Sequence, residues 1–110
     1  MRKVTTIENF QKTLSEFPLV LAYFTSSNCN VCKVLKPKIE MLTEEHFPDV
    51  KFIEVASDEA LKLAANYSVF SSPIILFFVD GREYIRESRN VSVKELETKM
   101  DKIVRMYQEM

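Results

Sequence analysis

Glycine and proline are scarce in this sequence, with one glycine and four prolines among 110 residues. Collagen-like and low-complexity proteins need far more of both, so these classes are excluded. Hydrophobic residues make up 46% of the chain and charged residues 28%, which is typical of a compact soluble protein. No linker, repeat or shift in composition divides the chain, and its length is near the commonest domain size. We expect a single domain over residues 1–110.

An excess of charge of one sign is also missing. The 15 basic and 16 acidic residues are well mixed and give a formal net charge of −1. A nucleic-acid-binding protein carries a basic patch, and a peripheral membrane anchor carries a polybasic cluster. Neither nucleic acid nor a membrane is therefore expected as a partner.

Long hydrophobic runs are absent as well. The apolar run 19–24 is far shorter than the roughly 18–20 residues that span a bilayer. The first ten residues, MRKVTTIENF, hold two basic residues with no apolar stretch behind them, so no secretory signal is expected. The expected location is the cytoplasm. In that reducing compartment a close pair of cysteines is more often catalytic or metal-binding than structural.

The spacing of apolar residues predicts alternating helices and strands. Helices are predicted over 7–16, 29–46, 58–66 (capped by Ser57 or Asp58) and from about 92 onward; strands are predicted over 19–24, 52–56 and 74–79, with a short one around 3–5. Asp80-Gly81 is a hairpin signal that returns the chain along 82–87. Strands joined by helices are expected to run parallel, with helices on both faces of the sheet. This order predicts a three-layer α/β domain with an antiparallel edge strand.

Both cysteines lie in the stretch SSNCNVCKVLKP, residues 26–37, three positions apart. The stretch follows a predicted strand and begins a predicted helix capped by Ser27 or Asn28. Unpaired N–H groups and the helix dipole then favour a thiolate at Cys29, and cysteines at such positions have pKa values lowered from about 8.5 to about 3.5–7.5. Cys32 lies one turn further on, more buried and within reach of Cys29. The pattern indicates disulfide exchange, in which one thiolate attacks a disulfide and the other resolves the mixed disulfide.

Two other interpretations of the cysteines stay open at this point. A structural zinc site needs four ligands, and the single histidine, His46, lies at the far end of the same predicted helix. No metal site is therefore expected within one chain, and only a site shared between two chains would supply enough ligands. Alternatively, Cys29 and Cys32 are two small apolar residues with no chemical role.

The cysteine pair at a helix start, Pro37 five residues later, Ser72-Pro73 before the strand IILFFV and the Asp80-Gly81 hairpin together resemble the thioredoxin family. The similarity extends from about residue 4 to about residue 106. It implies the thioredoxin fold, a three-layer α/β/α domain with a central mixed sheet of four to five strands and four helices. It further implies that Pro73 is a cis-proline packed against the cysteines, and that the backbone of Ser72 pairs with extended substrate polypeptide.

The resemblance also implies an activity and its partners. Cys29 would be the nucleophile and Cys32 the resolving thiol of a thiol–disulfide oxidoreductase that needs no bound cofactor. Its partners would be disulfide-containing proteins, with a reductase or a low-molecular-weight thiol as electron donor, and the protein would act as a monomer. The alternative is a thioredoxin-fold binding or redox-sensing module with little general disulfide reductase activity.

The sequence departs from the family around the cysteines. Asn28 replaces the usual tryptophan, Asn30 and Val31 replace Gly-Pro, and Arg89 stands near a usual glycine of the substrate groove. By the resemblance, Asn28, Asn30 and Val31 would shape the site and its substrate groove together with Ser72 and Pro73. The changes suggest a different or narrower substrate set than that of a general thioredoxin.

The family's proton-transfer residues are also changed. The usual buried carboxylate falls at Tyr23, and the lysine that usually neighbours it falls at Glu54. We expect Tyr23 to pack in the core with its hydroxyl bonded. Glu54 would be a proton acceptor for Cys32 if it were buried without a partner, or it pairs with a nearby lysine or reaches solvent.

Overall fold

The computed structural model describes residues 2–88 and 90–110. In chain order the elements are β1 (Arg2–Lys3), α1 (Ile7–Glu16), β2 (Leu19–Thr25), α2 (Asn30–His46), β3 (Lys51–Ala56), α3 (Leu61–Asn66), β4 (Ile74–Val79), β5 (Arg82–Ser88) and α4 (Val93–Gln108). Every predicted helix and strand is present. The ends agree within one or two residues except at α3, which begins three residues later than predicted.

The strands form one five-stranded sheet in the order β1-β3-β2-β4-β5. β1, β3 and β2 run parallel, whereas β4 is antiparallel to β2 and β5 is antiparallel to β4. The predicted fold class, a central mixed sheet with four helices, is confirmed.

The expectation that all helix-joined strands run parallel is wrong for β4. α3 has six residues and spans only about 9 Å at about 1.5 Å per residue, whereas a six-residue strand such as β3 is about 20 Å long. The helix is therefore too short to return the chain to the far end of the sheet. β4 instead starts where β2 ends, with Ile74 opposite Phe24. This reversal brings Pro73 to the end of the sheet at which Cys29 lies.

The central strand β2 alternates its side chains between two hydrophobic layers. Tyr23 faces a layer that includes Leu35, Ile39 and Leu42 of α2 and Leu96, Met100 and Val104 of α4. Phe24 faces the opposite layer, which includes Phe10 of α1 and Leu63 and Ala64 of α3. Each large apolar side chain fully buried in this way contributes about 1.5–3 kcal/mol to the stability of the folded state. The layers fix α2, and with it both cysteines, on one face of the sheet.

The helix starts differ in how they are capped. The hydroxyls of Thr6 and Ser92 accept hydrogen bonds from backbone N–H groups at the starts of α1 and α4, as side chains of this type do at helix N-termini. The predicted cap of α3 by Ser57 or Asp58 is wrong, because residues 57–59 form a turn and α3 follows Ala60 with no side-chain cap. In the described ranges, no helix combines the length and apolar character that crossing a membrane would require.

Candidate active site

Cys29 lies at the N-terminus of α2, at the end of the polar loop that follows β2. It is the N-cap residue itself, and its Sγ accepts a hydrogen bond from the N–H of Cys32 at 3.2 Å. The N–H of Cys29 donates to the carbonyl oxygen of Ser26 at 3.3 Å. A sulfur in the place of a capping oxygen faces the partial positive charge of the helix N-terminus. This position would stabilise negative charge on the sulfur.

The predicted capping of α2 by Ser27 or Asn28 is wrong. The hydroxyl and the N–H of Ser27 both donate to Asp58 Oδ2, at 2.5 and 3.1 Å, so this side chain is turned away from the helix. These bonds lower the pKa of the Asp58 carboxyl below its usual value. An ionised Asp58 thus ties the loop before Cys29 to the turn after β3.

The two cysteines form a disulfide, with their Cα atoms 5.3 Å apart. Cys32 is buried at 1% exposure, whereas Cys29 is half-buried. Solvent and a second molecule can therefore approach Cys29 and not Cys32.

Within residues 2–88 and 90–110, no group of three or more His, Cys, Asp or Glu side chains is placed to bind a metal ion, and His46 lies at the opposite end of α2.

An open groove of about 470 Å³ lies beside Cys29, and we call it the cysteine groove. Its lining residues are Ser26, Asn28, Cys29, Asn30, Val31, Ser72, Pro73 and Asn90. The structure thus brings together Asn28, Asn30, Val31, Ser72 and Pro73 around Cys29. The Ser72–Pro73 peptide bond is cis, and Pro73 is buried. The hydroxyl oxygens of Ser26 and Ser72 are hydrogen-bonded at 2.8 Å, which joins the two sides of the groove.

Asn90 also lines the cysteine groove and was not predicted to do so. The one signal in the sequence was the resemblance, which placed the neighbouring Arg89 near the substrate groove. Arg89, which the resemblance placed near the groove, lies outside the described residues.

Tyr23 lies on β2 beneath the first turn of α2 and is fully buried. Its hydroxyl donates to the carbonyl oxygen of Cys32 at 2.7 Å. Burial raises the pKa of Tyr23 to about 12, and the negative charge of Glu54 adds to this effect. The hydroxyl stays protonated at neutral pH, so Tyr23 anchors the helix turn that carries Cys32.

Glu54 is opposite Tyr23 in the β2–β3 register and is 6% exposed. Its Oε1 accepts a hydrogen bond from Lys36 Nζ at 3.2 Å. The sequence left three alternatives for Glu54: buried without a partner, paired with a lysine, or exposed to solvent. The structure shows the pairing with a lysine. Lys36 follows Cys32 by four residues, so the two side chains lie on the same side of α2. The ion pair lies away from the cysteine groove, whose lining does not include Glu54.

Comparisons with known proteins agree with this architecture. The family model described as Thioredoxin matches residues 1–102. The chain is 31% identical to the thioredoxin-like protein YdfQ of Bacillus subtilis over 108 residues, covering 98% of this chain and 93% of that protein. It is 36% identical to a thioredoxin of Chlamydia trachomatis over 95 residues, covering 86% of this chain and 88% of that one. The crystal structure of Fasciola hepatica thioredoxin superposes with a TM-score of 0.81 at 34% identity, covering 89% of this chain and 95% of that chain.

Proposed function

We propose that this chain, which belongs to the thioredoxin family, is a thiol–disulfide oxidoreductase that exchanges electrons between Cys29–Cys32 and disulfides of proteins or small molecules. The observation that carries the proposal is the position of Cys29. Its sulfur is accessible and accepts the N–H of Cys32, while Cys32 itself is buried. Disulfide exchange in two steps uses this division between an attacking sulfur and a shielded resolving sulfur.

The reaction begins from the reduced pair. The Cys29 thiolate attacks one sulfur of the substrate disulfide, a bond forms between these two sulfurs, and the substrate S–S bond breaks. The leaving thiolate takes up a proton. The Cys32 thiolate then attacks Cys29 Sγ, which restores the Cys29–Cys32 disulfide and releases the second substrate sulfur as a thiolate, which takes up a proton. The protein loses two electrons and the substrate gains two.

Glu54 is paired with Lys36, which is not the unpartnered state that the sequence argument assumed, and we propose that it accepts the proton of Cys32 from within this pair. Glu54 is a buried carboxylate on the sheet face that α2 covers, and its partner Lys36 is one helical turn from Cys32. A carboxylate can remove a thiol proton when the resolving step needs a thiolate. The positive charge of Lys36 would also favour a thiolate nearby. This unit would take the place of the carboxylate that the family usually carries at the position of Tyr23.

The proposed partners follow from the same chemistry. We propose that the substrates are disulfide-containing proteins, that a reductase or a low-molecular-weight thiol restores the reduced pair, and that the protein works as a cytoplasmic monomer without a bound cofactor. One relative is itself named as a reductase: 16% of the length of the NADPH-dependent thioredoxin reductase 3 of Arabidopsis thaliana matches 77% of this chain at 29% identity.

Mixed-disulfide trapping tests the assignment of the two cysteines. Reduced Cys32→Ser protein mixed with insulin should accumulate a covalent complex through Cys29, because the resolving thiol is missing. Cys29→Ser protein should trap little, because Cys32 is buried. The double variant, Cys29→Ser with Cys32→Ser, controls for non-covalent association. Equal trapping by the two single variants, or none by either, contradicts the proposal.

The binding or redox-sensing module is distinguished by the properties of the reduced pair. A Cys29 thiol pKa below about 7.5 and a reduction potential near about −270 mV are expected for a reductase. A thiol pKa near about 8.5 with no insulin reduction would favour the module. Ultraviolet absorbance of the thiolate gives the pKa, and equilibration with glutathione buffers gives the potential.

A further inference from the structure

The chain leaves the C-terminal end of α3 through a left-handed turn at a residue that is not glycine. Ser68 has a φ of +56°, and its N–H donates to the carbonyl oxygen of Ala65 at 3.0 Å. The N–H of Val69 donates to the carbonyl oxygen of Ala64 at 2.8 Å. This pair of bonds is a common helix ending, in which glycine usually takes the left-handed position. A serine is strained there, so contacts from outside the turn are needed to hold it.

Arg86 of β5 supplies such contacts. Its Nη2 donates to the carbonyl oxygen of Tyr67 at 2.7 Å, and its Nη1 donates to that of Ser68 at 3.2 Å. Carbonyl oxygens at the C-terminal end of a helix have no partner within the helix. One guanidinium therefore satisfies two adjacent carbonyl oxygens and fixes the turn to the edge strand of the sheet.

Glu83 sets the direction in which the Arg86 guanidinium points. Its Oε2 accepts a hydrogen bond from Nε of Arg86, and its Oε1 accepts one from Nη2, both at 2.8 Å. Only arginine presents a planar fork of donors that can bind a carboxylate in this two-bond arrangement. The Arg86 side chain, which is 33% exposed, is thus held at both its carboxylate and its carbonyl partners.

A β-bulge in β5 brings Glu83 and Arg86 together. Residues three apart in a regular strand point to opposite faces of the sheet. In the β4–β5 register, however, Ile85 is opposite Phe77 and the next residue of β4 is opposite Glu83. Tyr84 is therefore the extra residue of a bulge, which turns Glu83 to the face that carries Arg86.

The turn held by Arg86 leads into one wall of the cysteine groove. Residues 69–73 follow the turn and carry Ser72 and Pro73 into the lining of the groove. β5 holds this segment at both ends, because Arg86 bonds the turn before it and β5 pairs with β4 directly after it. In a segment this short, a displacement of the turn would move Ser72 relative to Cys29.

We propose that Arg86, oriented by Glu83, is a positioning residue for disulfide exchange, which sets the place of Ser72 and Pro73 beside Cys29. Arg86 itself does not line the cysteine groove. It orders the wall of the groove in advance, so that less freedom is lost when a polypeptide binds along that wall. This inference rests on the proposed function, in which the backbone of Ser72 pairs with the substrate polypeptide.

Single-turnover exchange with two disulfides of different size tests the role of Arg86. Reduced Arg86→Met protein is mixed with insulin or with hydroxyethyl disulfide over a range of concentrations, the reaction is stopped with acid, and oxidised protein is measured by chromatography. The half-saturating insulin concentration should rise about three- to fivefold with little change in the limiting rate, as loss of the bonds that order the segment predicts. Hydroxyethyl disulfide should react at the wild-type rate, because it is too small to pair along Ser72.

Matched variants separate positioning from charge and from stability. Arg82→Met removes the same charge from the exposed hairpin end of β5 and should react with both disulfides like the wild type. Arg86→Lys keeps the charge without the fork, and its half-saturating insulin concentration should fall between those of the wild type and Arg86→Met. Glu83→Gln should raise this concentration as well. Hydrogen exchange at the Val69 amide should be faster in Arg86→Met and Glu83→Gln, whereas the thiol pKa of Cys29 should be unchanged.

Each other outcome overturns the proposal in a distinguishable way. If the Val69 amide exchanges faster in Arg86→Met but insulin reacts as with the wild type, the contact is structural and does not position the groove. If insulin and hydroxyethyl disulfide slow equally, the variant has lost active protein, and if Arg82→Met matches Arg86→Met, the effect is one of charge. An unchanged Glu83→Gln protein removes the role assigned to Glu83. If the wild type reduces neither disulfide, the proposed function itself fails.

Discussion

Tyr23→Phe removes one hydroxyl from beneath the active-site helix and tests the link between the sheet and Cys32. Phenylalanine fills almost the same volume, so the core around β2 is kept. The change removes the hydrogen bond of 2.7 Å to the carbonyl oxygen of Cys32. The loss should cost about 1 kcal/mol at pH 7, the net value of a buried hydrogen bond.

The same substitution removes a titrating group, which gives the prediction a distinctive pH dependence. The pKa of Tyr23 is about 12 in the folded protein, against about 10 when unfolded. A raised pKa means that its contribution is fully present below pH 10 and is lost as the pH rises from about 10 to about 12. From this group alone, the free energy of unfolding of the wild type should fall by about 0.4 kcal/mol by pH 10 and by about 1.4 kcal/mol by pH 11.

Urea unfolding of the oxidised protein at pH 7, 9, 10 and 11 measures both effects. Tyr23→Phe should be less stable than the wild type at pH 7, and the difference should vanish or reverse by pH 11, because the variant has no such tyrosine to ionise. Tyr84→Phe, at an exposed position on β5, is the matched control and should follow the wild type. A constant difference between wild type and Tyr23→Phe from pH 7 to pH 11 would refute the reasoning.

Three further perturbations test other parts of the structure. In Glu54→Gln protein, the resolving step should slow at neutral pH while attack by Cys29 is unchanged in rapid-quench experiments, and an equal slowing in Lys36→Met alone would implicate the lysine charge instead. Asp58→Asn should speed hydrogen exchange at the Ser27 amide at a fixed pH, because the two bonds from Ser27 lose an ionised acceptor. In the wild type, the ratio of the observed to the intrinsic exchange rate should rise as acidification protonates Asp58, whose pKa is below its usual value. Gly81→Ala should lower the free energy of unfolding by about 1 kcal/mol in urea unfolding, because the φ of Gly81 is +81° and an L-residue is strained there. A Cβ at this position would meet no atom within 4 Å, so backbone strain is the only expected cost. An unchanged urea midpoint would therefore contradict the prediction.

Several parts of the fold follow from the sequence because local interactions decide them. The apolar run of β2 and the helical spacing of Leu35, Ile39 and Leu42 specify which faces must be buried, whatever they pack against. Asp80-Gly81 specifies a reversal, because both residues adopt positive φ there. The pair Cys29 and Cys32 is three residues apart at a helix start, so the reach of one sulfur to the other is also local.

Other features depend on groups that are distant in the sequence. The direction of β4 is set by the shortness of α3 and by pairing with β2, more than 40 residues earlier, and that direction places Pro73 beside Cys29. The sequence predicts Ser27 or Asn28 as the cap of α2, and in the structure the cap is Cys29. Ser27 is not available because Asp58 accepts both of its donors across 31 residues.

The sequence by itself determined the elements, the cysteine pair and the class of chemistry, because periodicity and short spacings act between neighbours in the chain. The tertiary structure alone decided that Tyr23 anchors Cys32, that Lys36 pairs with Glu54, and that Ser26 and Ser72 are hydrogen-bonded across the cysteine groove. Each of these contacts is made across the sheet or between loops. The free energy that selects them comes from packing and hydrogen bonding between segments, which no local pattern of residues records.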